Sequence, residues 1–395
     1  MKKNLVLIFI LVLALSLAGC GETAGINELS DSLSAKDSGA AKGPDGLEEG
    51  TGTEPAVQTA EMPESEPVTK PETEPETAWE WQYDLPENHG LDSNAPGRLH
   101  EALDPTQVLA SVIVKDGYIV DEYYKEGCDE NSVFLLHSCS KSVTSALIGI
   151  AIDRGYIESV DVPISEYFPQ IAKSGSEYLK QVTIWHLLTH TSGISNADTD
   201  VWEDWRSSEN WVDYVLERPV TSEPGTVFSY TTGGTHLLSA ILQKATGKTA
   251  YDFGREYLFD PVGMDSVQCD TDAQGISDGG NGFYMDVYDM ARFGQLYLNG
   301  GVWEGRQIIL QEWVQDSTSL QFKRSTGTAD YGYQWWVRKF GEQGYDAYFA
   351  QGHFGQYIFV VPDLELVIVF TSSHTGSSSM YWQFVTDITD ACEAR

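Results

Sequence analysis

Alternating runs of β-branched and aromatic residues stand near both ends of the part of the chain that is rich in aromatic residues. Near its start, residues 107–114 and 118–124 flank the turn at residues 115–117. Near its end, residues 356–361 and 364–371 flank a second turn that begins with proline. Alternation with a period of two, interrupted by a short turn, is typical of a β-hairpin. The sequence therefore predicts one hairpin at each end of the folded part.

Between the two hairpins the apolar spacing is mostly helical. Apolar residues recur on one helix face from Val143 to Ala151, and Gly155 is placed to end that helix. Further helices are predicted over residues 183–188, 235–246, 285–298 and, after the second hairpin, 381–392. Hairpins at both ends with helices between them predict an α+β fold. In it, N- and C-terminal strands form one antiparallel sheet flanked by helices, with an inserted, mainly helical subdomain.

The N-terminus carries the pattern of an export signal. Two lysines precede an apolar run over residues 5–15, which predicts a lipoprotein signal peptide over residues 1–19. Residues 17–20, Leu-Ala-Gly-Cys, resemble a bacterial lipobox, so Cys20 is expected to be lipidated. An ordinary signal peptide with an incidental cysteine is the alternative. The expected location is the outer face of a bacterial cell membrane, with the membrane as a partner through Cys20.

Composition separates a linker from a folded domain. Residues 20–78 are rich in Gly, Ser, Thr, Pro and Glu and nearly free of aromatic residues, which predicts a disordered, lipid-anchored linker. Residues 79–395 are long enough for one large domain. The net charge of −35 argues against nucleic acid as a partner. The pairing of Cys128, Cys139, Cys269 and Cys392 and the oligomeric state stay open.

The segment Ser138-Cys139-Ser140-Lys141 lies where the helical pattern after it begins. A spacing of three puts Ser138 and Lys141 on one helix face, so the hydroxyl and the amine can touch. A lysine activates a serine only if its pKa is lowered, which burial and the helix dipole both favour. The alternative is a helix-capping Ser138 beside a solvated Lys141. No other lysine of the chain has a serine three residues before it.

Four segments in chain order share a family pattern. They are Ser138-x-x-Lys141 and residues 183–194, 223–230 and 352–356. Together they resemble the class C β-lactamase and penicillin-binding-protein superfamily of serine hydrolases. The resemblance implies a β-lactamase/transpeptidase-like fold with Tyr230 as the second base. It also implies an oxyanion and substrate-binding strand, with the backbone N–H of Gln356 as an oxyanion donor beside Gly355, and with His353 polarising the acyl side of the substrate.

Two departures from the β-lactamase pattern bear on the substrate. The tyrosine motif of the family usually reads Tyr-x-Asn, whereas this chain has Tyr230-Thr231-Thr232, and His353 stands where a lysine is common. Residues 290–294, 300–302 and 334–336 instead resemble 6-aminohexanoate dimer hydrolases and their esterase relatives. That resemblance implies cleavage of a small-molecule ester or linear amide through a Ser138 acyl-enzyme, with no metal or organic cofactor.

Two other functions stay open. One is a peptidoglycan enzyme similar to a penicillin-binding protein or D-Ala-D-Ala carboxypeptidase. The other is a non-catalytic surface lipoprotein that uses the fold for binding, which would predict a broken catalytic set. Residues 200–218, with Trp202, Trp205 and Trp211, are interpreted either as a mobile lid over the pocket or as a surface segment that packs its tryptophans inward.

Overall fold

The computed structural model describes residues 79–198 and 201–393. The predicted signal peptide, the anchor Cys20 and the linker lie outside the described residues. The strands are β1 (Gln82–Tyr83), β2 (Val108–Lys115), β3 (Tyr118–Tyr124), β4 (Phe134–Leu135), β5 (Gln268–Cys269), β6 (Phe283–Met285), β7 (Val302–Trp303), β8 (Arg306–Gln307), β9 (Asp330–Tyr331), β10 (Trp336–Phe340), β11 (Tyr345–Gly352), β12 (Gln356–Val361) and β13 (Leu366–Ser372).

One large sheet has the order β1-β3-β2-β13-β12-β11-β10-β9. All its neighbours pair antiparallel except β1 and β3. The two predicted hairpins meet where β13 pairs with β2, with Leu366 opposite Lys115. The prediction of one antiparallel sheet built from both ends of the chain is therefore confirmed. Every residue of β12 and β13 is buried because both faces of the sheet are covered.

The helices are α1 (Ala95–Leu103), α2 (Ser140–Asp153), α3 (Ile184–Leu188), α4 (Trp202–Arg206), α5 (Trp211–Leu216), α6 (Thr232–Thr246), α7 (Ala250–Gly254), α8 (Asp260–Val262), α9 (Val287–Leu298), α10 (Gln311–Thr318) and α11 (Ser379–Asp390). Helix α9 packs on one face of the sheet, where Gly294 lies against Val367 and Ile358. Helices α1 and α11 share a core with the other face. Across residues 79–198 and 201–393, we find no helix with the length and apolar character needed to cross a bilayer.

The inserted subdomain between β3 and β9 is mainly helical, as predicted, but it also contains two small sheets, β4-β6-β5 and β7-β8. Their strands span only two or three residues, too few for a periodic pattern to reveal them. Helix α2 runs through the centre of this region, with its first twelve residues buried. Gly149 of α2 leaves room for Trp313, since an added Cβ would lie 2.4 Å from that ring.

Helix α2 begins at Ser140, so Ser138 precedes the helix and Lys141 lies in its first turn. His137 has a φ of 48°, a left-handed conformation that cannot continue a helix towards the N-terminus. Residues His137–Cys139 instead form one 3-10 turn that leads into α2. The end of β11 packs tightly on this turn, since a Cβ at Gly352 would lie 2.2 Å from the carbonyl oxygen of Leu136.

Candidate active site

Ser138 and Lys141 meet at the start of α2. Ser138 is partly exposed in the 3-10 turn, whereas Lys141 is only 1% exposed in the first turn of the helix. The distance between Lys141 Nζ and Ser138 Oγ is 3.0 Å. The structure thus brings the predicted nucleophile and its predicted base into hydrogen-bond contact, and Lys141 is not a solvated surface residue.

Two further acceptors surround the Lys141 amine. Lys141 Nζ lies 3.0 Å from Thr232 Oγ1 and 2.7 Å from the carbonyl oxygen of Gly280. Burial lowers the pKa of Lys141 from 10.5 to about 8, against the opposing effect of the Asp198 and Asp278 carboxylates. A neutral amine has two N–H groups and one lone pair. With Thr232 and Gly280 accepting the two N–H groups, the lone pair is left facing the Ser138 hydroxyl.

Tyr230 approaches the pair from the segment just before α6. Its hydroxyl forms a hydrogen bond with Ser138, and Lys141 Nζ lies 4.9 Å from the centroid of its ring. The ring stacks on Trp336, with 5.8 Å between centroids. Burial raises the pKa of Tyr230, so the phenol keeps its proton at neutral pH. A protonated Tyr230 is suited to donate a proton rather than to act as the first base.

His190, within the family-like segment at residues 183–194, packs against the ring of Tyr230. Its ring is buried, 4.5 Å from the Tyr230 ring centroid, and Nδ1 accepts a hydrogen bond from the Thr231 backbone N–H at 3.4 Å. Burial lowers the pKa of His190 well below its ordinary value, with a further effect of the Lys141 charge. The residue therefore stays neutral. The sequence resemblance marked this segment without assigning His190 a place in the site.

Gln334 joins three elements around the site. Its side chain donates to the carbonyl oxygens of Leu187 at 3.0 Å and Leu188 at 2.9 Å, and accepts from Thr235 Oγ1 at 2.8 Å. Its own carbonyl accepts from Ser142 Oγ at 2.8 Å. These bonds connect α3, α6 and α2. A φ of 63° puts Gln334 in the left-handed region, a strain that the surrounding hydrogen bonds maintain.

A glycine-rich segment supplies the carbonyl that holds Lys141. An added Cβ at Gly280 would lie 2.7 Å from Thr232 Cγ2, and one at Gly279 would lie 2.5 Å from Thr144 Oγ1. Only glycine allows this backbone to approach α2 and α6 so closely. Sequence reasoning missed Gly280, although the Gly279-Gly280 pair and Gly282 were a visible signal of close backbone approach.

The predicted oxyanion strand borders the Ser138 turn through its backbone. Cys139 Sγ donates a hydrogen bond to the Gln356 carbonyl oxygen at 3.3 Å. The Gln356 side chain points away from the turn and donates to the Ser372 carbonyl oxygen at 2.6 Å. The main chain of Gln356, rather than its amide, is therefore the part that lies beside the residues carrying Ser138.

Gly355 and His353 occupy the turn before β12. Gly355 has a φ of 92°, and a Cβ there would lie 1.9 Å from Tyr381 Oη, so the position requires glycine. His353 is exposed, with its ring centroid 6.0 Å from that of His137. Gly355 is therefore needed for the conformation and close packing of the backbone, whereas His353 is open to solvent near the Ser138 turn.

The tryptophan-rich segment packs mainly inward. Trp205 and Trp211 are 0% and 5% exposed, while Trp202 is half-buried. The Arg206 guanidinium lies 3.9 Å from the Trp211 ring centroid and binds Asp278 at 2.5 Å. For Trp205 and Trp211, this packing matches the second interpretation of the segment, a surface element with its tryptophans turned inward.

Comparison with known proteins relates this chain to characterised families. The sequence profile of the family described as beta-lactamase matches residues 105–381. The 6-aminohexanoate-dimer hydrolase of Paenarthrobacter ureafaciens is 26% identical over 306 residues, which cover 72% of this chain and 77% of that protein. A candidate 6-aminohexanoate-dimer hydrolase structure from Bacillus anthracis superposes with a TM-score of 0.66 at 24% identity, covering 78% of this chain and 86% of that one. A class C beta-lactamase from Rhodobacter sphaeroides gives a TM-score of 0.59 at 19% identity, covering 75% and 99%.

Proposed function

The chain belongs to the beta-lactamase family and is a serine hydrolase, and we propose that it cleaves a small-molecule ester or linear amide through a covalent intermediate on Ser138. The observation that carries the proposal is the buried Lys141 amine, whose Nζ lies 3.0 Å from Ser138 Oγ while its two N–H groups are directed to Thr232 and Gly280. Such an arrangement supports proton transfer from the hydroxyl to the amine as the serine attacks.

The first half of the reaction forms the acyl-enzyme. Neutral Lys141 accepts the proton of Ser138 Oγ while that oxygen attacks the substrate carbonyl carbon. The carbonyl oxygen gains negative charge, and the backbone N–H groups of Ser138 and Gln356 stabilise it. The C–O or C–N bond to the leaving group then breaks, and the Tyr230 phenol protonates that group. Protonated Lys141 then gives the proton that it took from Ser138 to the Tyr230 phenolate. Both Lys141 and Tyr230 thereby regain their starting protonation states.

The second half releases the product. A water molecule attacks the acyl carbon, its proton moves to the amine of Lys141, and Ser138 Oγ leaves as a hydroxyl when Lys141 returns the proton. Lys141 and Ser138 thus exchange protons in both halves of the reaction.

Two residues favour esters and linear amides over β-lactams. Thr232 stands where the family's tyrosine motif usually has asparagine, and its hydroxyl is already engaged with Lys141 at 3.0 Å. His353 supplies an imidazole where many relatives carry a lysine ammonium. Both changes weaken contacts that a β-lactam uses, namely those to its amide side chain and to its carboxylate. The 26% identity to a 6-aminohexanoate-dimer hydrolase supports the same substrate class.

Export and lipidation at Cys20 form a separate part of the proposal, based on the sequence of residues 1–20. A bacterium expressing the full chain should place it in the membrane fraction and incorporate labelled palmitate. The Cys20→Ala variant should incorporate none. Equal labelling of both proteins would contradict lipidation at Cys20.

The test of the chemistry is a burst experiment on the chain from residue 21 onward. We expect a rapid first turnover of a short-chain nitrophenyl ester and an intact-mass increase equal to the acyl group. Both should disappear in Ser138→Ala. A suitable control is Ser145→Ala, about two turns further along the chain in α2, whose buried hydroxyl has no hydrogen-bond partner within the described part of the chain.

A panel of substrates then separates the candidate functions. Turnover of esters and of a linear amide, with slow or absent turnover of a chromogenic cephalosporin, is the expected result. Stable acylation by penicillin together with release of D-alanine from a D-alanyl-D-alanine peptide would replace this proposal with the peptidoglycan function. Absence of any adduct, even with a serine-reactive phosphonate, would leave the binding function.

A further inference from the structure

The polar turn at residues 196–198 lies directly against the Tyr230 motif. Asn196 Nδ2 donates to the Tyr230 carbonyl oxygen at 2.7 Å, and the Asp198 backbone N–H donates to Asn196 Oδ1 at 2.7 Å. Arg218 holds the turn from behind, with hydrogen bonds of 3.2 Å and 3.0 Å to the carbonyl oxygens of Ser195 and Asn196. The turn therefore has a defined position relative to the catalytic groups.

Asp198 binds Thr232 twice through one carboxylate oxygen. Asp198 Oδ2 accepts from the Thr232 backbone N–H at 2.6 Å and from Thr232 Oγ1 at 2.8 Å. A carboxylate only accepts hydrogen bonds, so the Thr232 hydroxyl proton points to Asp198. The lone pairs of Thr232 Oγ1 are then available to an N–H of Lys141, 3.0 Å away.

The direction of these bonds decides where the Lys141 lone pair points. If the Thr232 hydroxyl were free to rotate, it would compete with Ser138 by donating its proton to the amine. With that proton held by Asp198, Thr232 can only accept. The Gly280 carbonyl, 2.7 Å from Nζ, can only accept as well. The Ser138 hydroxyl is then left as the donor to the Lys141 lone pair.

We propose that Asp198 is a positioning residue that, through the Thr232 hydroxyl, orients the neutral Lys141 amine towards Ser138. The inference rests on the proposed function, because it assigns Asp198 a part in the acylation step of that same site. Thr232 contacts the base directly, whereas Asp198 acts through it. A hydroxyl locked by a carboxylate thus fills the place that the asparagine amide has in the usual family motif.

The charged and titratable groups that face Lys141 are Asp198, Asp278, Cys139, Tyr230, His137 and His190. Removal of the Asp198 charge lowers the pKa of Lys141 further, because that carboxylate favours the ammonium form. The effect of Asp198 on the orientation of the Lys141 amine can therefore be separated from the effect of its charge on the pKa of Lys141. Asp198→Asn keeps an acceptor oxygen for Thr232 but loses the charge, whereas Asp198→Ala loses both.

The experiment measures kcat/KM for a nitrophenyl ester against pH for the chain from residue 21 onward. Asp198→Asn should keep its high-pH plateau within about 3-fold of wild type, with the acid limb moved to lower pH. Asp198→Ala should show the same movement and a plateau about 10- to 100-fold lower, since the base is misoriented. Asp204→Ala removes an exposed carboxylate of α4 and should change neither.

Thr232 variants give an independent test if Asp198→Ala does not fold. Thr232→Ser should keep the plateau, whereas Thr232→Val, of the same shape, should lose it by about the same 10- to 100-fold. Combining Thr232→Val with Asp198→Ala should add little to either single loss. A wild-type plateau in Thr232→Val or in Asp198→Ala would overturn this inference but not the proposed function. Losses that multiply in the double variant would do the same. A wild-type enzyme without a burst would overturn the proposed function and this inference with it.

Discussion

Burial of Lys141 lowers the free energy of unfolding by an amount that depends on pH. Its pKa falls from 10.5 to about 8 because burial disfavours the ammonium form. Between the folded-state pKa of about 8 and the unfolded value of 10.5, the unfolded chain binds more protons at this residue than the native state does, so stability rises with pH over that interval. The penalty is fully present below about pH 8, decreases as the pH rises, and is gone above the unfolded pKa of 10.5.

The size of the effect follows from the shift. A difference of about 2.5 pKa units corresponds to about 3 kcal/mol at 25 °C. Between about pH 7 and about pH 9.5, the free energy of unfolding should rise by about 2 kcal/mol from this residue alone. Lys141→Met removes the titration while keeping a long side chain. It also leaves Thr232 Oγ1 and the Gly280 carbonyl without their donor, but that loss is the same at each pH.

Urea unfolding, followed by tryptophan fluorescence for wild type and Lys141→Met at a series of pH values, measures the difference. Other titrating groups contribute to both proteins and cancel in the comparison. The wild-type curve should climb relative to the variant by about 2 kcal/mol as the pH increases over that range. Parallel curves for the two proteins would refute the reasoning that burial depresses the pKa of Lys141.

Three further outcomes test the site and its support. The kcat/KM for an ester should rise with pH as Lys141 loses its proton, with an apparent pKa of about 8; an acid limb at the ordinary histidine pKa would point to another base. Tyr230→Phe should reduce amide turnover about 100-fold and turnover of an activated nitrophenyl ester much less, because nitrophenolate leaves without a proton; equal losses in steady-state assays of both substrates would contradict its role as the acid. Gly355→Ala should destabilise the fold by about 3 kcal/mol in urea unfolding, from backbone strain and the clash with Tyr381. Gly117→Ala, at a φ of 85° with no atom within 4 Å of the added Cβ, is the matched control and should lose about 1 kcal/mol; equal losses would mean that the clash is absent.

Most of the sheet could be predicted because its strands carry a local signal. Strands β2, β3 and β12 fall within a residue of the predicted runs, while β13 begins two residues late because Pro362–Leu364 form a 3-10 turn. Strands β10 and β11 were not predicted. Tyr345–Gly352 is mostly buried with no regular alternation of apolar and polar residues, so no period of two identifies it.

The tryptophan segment and the start of α2 show a different limit. Side chains at helical spacing suit a lid or a packed surface equally well, and only the burial of Trp205 and Trp211 distinguishes these. The start of α2 depends on the left-handed φ of His137, held against β11 by contacts of residues distant in sequence. A local pattern contains no information about such contacts.

The sequence by itself determined the terminal hairpins with helices between them, the family, and the pairing of Ser138 with Lys141. That pairing is predictable because a spacing of three residues is a local relation that a short motif encodes. Only the tertiary structure decided what Lys141 can do. Its two other hydrogen-bond acceptors, Thr232 and Gly280, lie 91 and 139 residues further along the chain. The pKa of the amine depends on burial, and the direction of its lone pair depends on those acceptors. Both arise when α2, α6 and the glycine-rich segment pack together.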